Sequence, residues 1–399
     1  MISIKELYKI GPGPSSSHTI GPKKAVEYIL NKYPDLDYCE MTFYGSLAET
    51  GKGHLSDYIA SRTFGTVKHQ ILFDYKTHTK HPNTMVFKVY KENKLLDTVQ
   101  IISVGGGLIK VKNEKLKKDR EVYEESSFDE IKAYCLEHDL SLIDYIYLNE
   151  GESIYEYGKT IYDTMLKSVE SGLNKEGLLP GKLKVKRKAK DLYNKVLPHE
   201  TSDMKEKRLI SAYAFAVSEE NASGQMIVTA PTCGASGILP SLLRYKLDQG
   251  YKEKELIESL LVAGLIGVIV KTNASISGAE CGCQAEVGTA SSMGAAFLAN
   301  LEHLGLKGIE RASEIALEHS LGLTCDPIDG YVQIPCIERN AMGAIKSIMA
   351  CSLSELMGSS NSKISFDVVV KTMYQTGKDL NRAYRETSLG GLAKIFKGE

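Results

Sequence analysis

The sequence predicts an α+β N-terminal domain followed by a larger all-α domain, and three observations carry that prediction. Residues 1–113 mix strand-like runs with a helical pattern. Beyond residue 127 the apolar residues fall at helical spacing almost throughout, and a charged stretch with little apolar surface lies between the two. The predicted organisation is an α+β domain at 1–113, a charged linker at 114–126 and a helical domain at 127–399.

The first element is a helix over 23–32 (KKAVEYILNK), whose apolar residues have helical spacing and which follows a helix-compatible Pro22. Strands are predicted at 39–45 (CEMTFYG), 84–91 (TMVFKVYK) and 95–104 (LLDTVQIISV), where apolar residues alternate or run on. Gly105, Gly106 and Gly107 interrupt the last of these and predict a bulge or a close approach of backbone. Residues 110–125 carry eleven charged side chains, the composition of a solvated linker or edge segment. Helices are then predicted over 128–137, 142–148, 154–171, 205–220, 254–270, 290–304, 308–320, 339–357 and 367–384, with 226–229 (MIVT) the best strand candidate.

Composition narrows the function classes. Among 399 residues, 49 basic and 50 acidic side chains leave a net charge of −1, so no basic excess marks a nucleic-acid or anionic-membrane partner. The N-terminus lacks the basic and apolar regions of a signal peptide, and the longest apolar run, 260–270, is too short to cross a bilayer and reads as a buried core helix. The expected setting is the cytoplasm. There the eight cysteines do not form a disulfide framework. Six of the eight lie from Cys233 onward, an asymmetry that calls for an account.

Three segments resist a purely structural explanation. In residues 11–19 two Gly-Pro pairs prevent regular structure, and Ser15, Ser16, Ser17 and Thr19 then present hydroxyls and N–H groups around His18. This is a plausible carboxylate cradle at the entry to a helix. An ordinary N-cap turn would need only one of those serines. The second segment joins 51–57, with glycines flanking Lys52 and His54, to His81-Pro82-Asn83. A surface histidine is usually inert, and the Gly and Pro neighbours are what single these two out. The third is the small, glycine-punctuated stretch 275–288 with its downstream partners 323–327 and 334–340, where Cys325 and Cys336 each stand close to a proline. Cys283 and Cys325 are 42 residues apart, and Cys325 and Cys336 are 11 apart. Zinc favours close C-x2–4-C pairs, which are missing here, whereas iron–sulfur clusters tolerate wider spacing. On spacing alone, buried packing thiols are the favoured reading.

Longer motifs run in order through nearly the whole chain: GPGPSSSHTIGP at 11–22, TGKGH at 50–54, HPN at 81–83, LPGKLKVKRKA at 179–189, SEENASG at 218–224, TAPTCGASGILP at 229–240, NASISGAECGCQAEVG at 273–288 and LGLTCDPIDGYVQIPCIERNA at 321–341. With these motifs the chain resembles the iron–sulfur-dependent L-serine dehydratases (L-serine ammonia-lyases) in their single-chain form, the β-type domain preceding the α-type domain. The resemblance implies a [4Fe-4S] cluster on Cys283, Cys325 and Cys336, with one iron open to assist a β-elimination that turns L-serine into pyruvate and ammonia. It implies no pyridoxal phosphate, sensitivity to oxygen, and a place in amino-acid degradation and gluconeogenesis. It further implies that Ser15, Ser16, Ser17, Thr19, His81 and Asn83 hold the substrate, with His18 and His54 near the proton transfers and the base undecided between them. The turns carrying Thr232, Cys233 and Gly234 and carrying Ser275, Ser277 and Gly278 would line the same pocket.

The chain departs from the family where Cys233 stands for a common Asn and Cys281 for a common apolar residue; both are expected to be small packed cysteines. Residues 395–399 carry no cysteine, so a tail thiolate as fourth ligand is not expected. Cys39, Cys135 and Cys351 remain as packing residues. The expected partner is a small amino acid, and a homodimer is expected from the commonness of two-fold symmetry. Rival readings are elimination on L-threonine, L-cysteine or another β-substituted amino acid, a non-catalytic amino-acid sensor, and a zinc-stabilised structural protein.

Overall fold

A computed structural model describes residues 1–114, 121–358 and 362–396. The chain divides into two compact units: Gly11–Lys118 with Ser223–Gln225, and Met1–Ile10 with Asp119–Ala222 and Met226–Glu399. The first is α+β and the second is helical, the fold class the sequence predicts. Residues 115–120 of the expected charged linker and Lys397–Glu399 of the expected cysteine-free tail lie outside the described residues.

The smaller unit is a five-stranded sheet of β1 (Tyr38–Tyr44), β2 (Lys68–Asp74), β3 (Thr84–Lys91), β4 (Lys94–Gly105) and β5 (Leu108–Val111), in the order β2-β1-β3-β4-β5. Only β1 and β2 run parallel. Their crossover carries helix α2 (Ser56–Phe64), while α1 (Gly21–Lys32) precedes the sheet. Alternation along β1 buries Cys39, Met41 and Phe43, and along β3 Met85, Phe87 and Val89. These pack with Ala25, Val26 and Ile29 of α1 and Ala60 and Phe64 of α2. Cys39 is thus a core residue, and burial pushes its thiol up to about 12.

Two strands of this sheet were not expected from the sequence. β2 is an edge strand whose side chains are mostly half-exposed, so KHQILFD lacks a clear alternation. β5 is the opposite edge, and its end runs into the charged stretch that begins at Lys110. The glycine run before it does make the expected irregularity, a register shift between Ser103 and Gly105.

In the larger unit, α3 (Ser153–Leu173), α4 (Ser202–Ala222), α5 (Ile238–Asp248), α6 (Glu253–Asn273), α7 (Thr289–Leu301), α8 (Gly305–Glu318), α9 (Cys336–Met357) and α10 (Phe366–Asp379) are the principal helices. The apolar run expected as a core helix is the buried middle of α6: every residue from Leu260 to Val270 is buried. The N-terminal segment docks on it, with the Tyr8 hydroxyl donating to the Leu260 carbonyl at 2.8 Å. The small residues of α7 admit close neighbours, and the Ser347 hydroxyl of α9 donates to the Ser291 carbonyl at 2.9 Å. Among the described residues, no helix is long and apolar enough to cross a membrane.

The sequence reading missed α5 because its Pro240 and the preceding glycines resemble a turn; a proline in the first turn of a helix costs nothing, since that N–H has no partner to lose. It also carried the last helix too far. The helix expected over 367–384 ends at Asp379, where Leu380 turns to extended backbone. The residues beyond it pair with Cys325, whose N–H donates to the Tyr384 carbonyl at 2.8 Å.

Candidate active site

The serine–histidine loop of the smaller unit folds into one wide turn, Ser16–Ile20, that runs straight into α1. Ser15 caps it: its hydroxyl accepts the His18 N–H at 3.2 Å. Thr19 accepts the Ser15 N–H at 3.2 Å and donates to the His54 carbonyl at 2.8 Å. The Ser56 hydroxyl donates to the His18 carbonyl. Through these bonds the loop and the TGKGH segment come together, and the His18 and His54 rings lie 4.7 Å apart between centroids. Both side chains are buried, as are Ser15, Ser16 and Thr19, whereas Ser17 is half-buried.

The HPN turn joins through Ser46. Its N–H donates to the Pro82 carbonyl at 2.8 Å, and its hydroxyl lies 2.9 Å from His18 Nε2. His81 shapes that turn, its Nδ1 taking the Asn83 N–H at 3.1 Å and its carbonyl taking two threonine hydroxyls at 2.7 Å. Within this unit the buried atoms His18 Nδ1, His54 Nε2, Asn83 Oδ1 and Ser103 Oγ have no hydrogen-bond partner among the described residues. A buried polar atom left unpaired costs ~1–3 kcal/mol, so several of them in one small unit mark unmet binding capacity.

Electrostatics keeps the pair neutral. Burial, then the neighbouring His54, holds His18 well below the ordinary histidine range. Burial takes His54 down to about 4, opposed by the hydrogen bond of its Nδ1 with the Thr50 carbonyl, 3.1 Å away. That bond places a proton on Nδ1 and leaves a bare lone pair on Nε2.

A stability consequence follows. Between the ordinary value of 6.5 and about 4 the unfolded chain binds a proton that the folded His54 refuses. The favourable contribution is therefore complete above pH 6.5 and is lost as pH falls toward about 4, at most about 3 kcal/mol. Thermal melts of the full chain are expected to drop more steeply across this window than those of His54→Gln. Equal slopes would refute the assignment.

In the larger unit the three predicted thiols come from three segments. Cys283 follows a sharp turn at Gly282, whose φ of 73° and 2.8 Å approach of a would-be Cβ to the Leu323 carbonyl admit no other residue. The buried Gln284 side chain joins this turn to the next segment. Its Oε1 accepts the Gly322 N–H at 2.9 Å, and its Nε2 donates to the carbonyls of Cys281 and Met373. That brings Cys283 beside Cys325, and their interaction lowers the Cys283 thiol while the Cys325 thiol is held well above the usual range. Cys336 opens α9, where burial and then Cys283 push its thiol up.

Side chains outside the predicted set complete this cluster. The half-buried Glu286 accepts the Cys325 S–H at Oε2, 3.8 Å from Sγ. A Cβ on Gly278 would lie 2.6 Å from that oxygen, and one on Gly234 would lie 3.3 Å from its partner oxygen. Burial pushes the Glu286 carboxyl up, against the pull of the Thr232 hydroxyl, Cys325 and Arg339. The turns at 231–234 and 275–278 therefore do converge on one carboxylate. Asn340 binds the first of them to α9: its Nδ2 donates to the carbonyls of Gly234 and Cys336, both at 2.8 Å, and its Oδ1 accepts the Gly237 N–H at 2.8 Å. Glu286, Gln284, Arg339 and Asn340 all stand inside the quoted motifs; as polar residues in apolar helical stretches they were the available signal, but nothing in the sequence said what they face.

Cys281 turns the other way, its sulfur filling the space beside Gly377 of α10, where burial takes the thiol up to about 11. Cys233 is buried in the 231–234 turn. All eight cysteines are free thiols. Among the described residues, no three His, Cys, Asp or Glu side chains could hold a single metal ion.

Family comparison agrees with these motifs. The model of the serine dehydratase alpha chain matches residues 84–393, and that of the serine dehydratase beta chain matches residues 3–62. The chain is 42% identical to an L-serine dehydratase of Helicobacter pylori (strain ATCC 700392 / 26695), with 99% of each chain covered. It is 38% identical to L-serine dehydratase 2 of Escherichia coli (strain K12), with 98% of each covered. It is 37% identical to an L-serine dehydratase of Streptomyces coelicolor, again over 98% of each.

Proposed function

Because the chain belongs to the serine dehydratase family, we propose that it deaminates L-serine to pyruvate and ammonia, using a [4Fe-4S] cluster on Cys283, Cys325 and Cys336 and no pyridoxal phosphate. The observation that carries the reading is the donor set. Three free thiols from separate segments interact with one another and with one guanidinium. Such a set fits a cluster with three protein thiolates. When bound, the cluster supplies a Lewis acid that helps a hydroxyl depart.

The chain's own residues do the rest. His54 Nε2, neutral and unpaired, takes the Cα proton, and His18 beside it stays uncharged, so the pair does not repel an ammonium group. Ser15, Ser16, Ser17, Thr19 and Asn83 hold the substrate's carboxylate and amine, with Asn83 Oδ1 an available acceptor. Loss of the proton and the hydroxyl leaves an enamine, whose tautomer hydrolyses to pyruvate and ammonia. A cytoplasmic setting, where thiols stay reduced, suits eight free cysteines.

The test is anaerobic purification and cluster reconstitution, followed by an absorption spectrum, iron and sulfide analysis, and a pyruvate assay. A brown protein that releases pyruvate and ammonia from L-serine is expected, with activity lost in air and unaffected by carbonyl reagents that trap pyridoxal phosphate. L-Threonine, one methyl larger, is expected to react ~10–200-fold less efficiently. A reconstituted protein without iron and without pyruvate release would sink the proposal.

A further inference from the structure

The charge balance around the thiol set points to a residue that no motif reading assigned. Arg339 lies one turn into α9, three residues after Cys336. Its Nη1 donates to the Thr324 carbonyl at 2.6 Å, and its Nη2 lies 3.6 Å from Asp326 Oδ1. These are the residues on either side of Cys325, so a single guanidinium ties the Cys336 helix to the Cys325 loop. Its charge is attracted first to Cys283, then to Cys336 and Cys325. The far side of the same loop is already held: Asp326 Oδ2 accepts the Leu392 N–H at 2.7 Å, and the Cys325 carbonyl accepts the Glu386 N–H at 2.8 Å.

The surroundings make a cation there matter. The half-buried Glu286 and Glu386 both act on Cys325 and Cys336 and oppose negative charge on the set. Lys346 also acts on Cys283, but its ammonium is spent on the His319 carbonyl and the Ser320 hydroxyl. A planar guanidinium can satisfy two acceptors and still present charge to a sulfur, which an ammonium on a flexible stem cannot do as well.

We propose that Arg339 is the positioning residue of the cluster site: it holds the three cysteines in register and supplies the positive charge that sets the cluster's retention and reduction potential. This rests on the cluster reading above. The experiment compares wild type, R339Q and R339K after anaerobic reconstitution. It reads iron and sulfide per chain, the rate of iron loss to a chelator, and the midpoint potential from a dye-mediated titration followed by electron paramagnetic resonance. R339Q is expected to lose iron at least about tenfold faster. It should also favour the oxidised cluster about tenfold, a shift of ~59 mV to more negative potential for one electron. R339K keeps the charge but not the fork, so its potential should stay near wild type while its iron loss accelerates. Should R339Q fail to fold, R339K carries the test, and wild-type chelator resistance in it would overturn the clamp. A folded R339Q with unchanged iron loss and potential would overturn the whole inference. A wild-type chain that takes up no cluster would instead overturn the proposed function.

Discussion

Cys325→Ala, reconstituted without oxygen, is expected to retain little iron and to release no pyruvate from L-serine, while Cys39→Ala keeps both. The contrast separates thiol chemistry from the loss of a buried sulfur, since both residues are buried free cysteines. Cys39 lies in the core of β1 with its thiol pushed up to about 12, and truncating it removes packing alone. Cys325 stands between Cys283 and Glu286 in a loop held by Arg339 on one side and by the Tyr384 and Glu386 backbone on the other. That loop has many anchors besides the thiol, so Cys325→Ala is expected to fold with an unchanged far-ultraviolet dichroism spectrum. The measurement is iron and sulfide per chain alongside turnover. Full iron and full turnover in Cys325→Ala would show the ligand set to be wrong.

The second large effect is expected at His54. His54→Gln should lower kcat by ~10²–10⁴-fold, the range associated with loss of a general base, while iron and sulfide per chain remain at the wild-type level. Glutamine keeps a donor for the Thr50 carbonyl but removes the lone pair at Nε2. Because burial takes His54 down to about 4, wild-type turnover should not lose this base between pH 8 and 5 and should fall only as pH approaches about 4. A His54→Gln chain with wild-type kcat would move the base elsewhere, and His18 would be examined next by the same substitution. Intact iron is the essential control, because it separates proton transfer from damage to the cluster.

Sequence and structure agree where the signal is local. The helical period of α6, the alternation of β1 and β3 and the bulge at the glycine run could all be read from residues a few positions apart. They fail where context overrides propensity. β2 is a strand because β1 offers it a parallel partner, and its own half-exposed residues do not demand it. The last helix stops at Asp379 although its helical pattern runs on, because the residues beyond are recruited to the backbone of Cys325.

The sequence by itself determined the family motifs and the division into an α+β part and a helical part, and it singled out the three thiols and the two histidines proposed for the site. Only the tertiary structure decided what those groups face. Cys281 and Cys283 are two residues apart, yet the turn at Gly282 sends one to Gly377 and the other to Cys325, 42 residues on. Arg339, Glu286, Gln284 and Asn340 acquired their roles in the same way, through neighbours distant in the chain. Composition and period report which faces of a helix are buried, but the partner of a buried polar atom is set by long-range packing, because each such atom must find a hydrogen bond or an opposite charge wherever the fold places one.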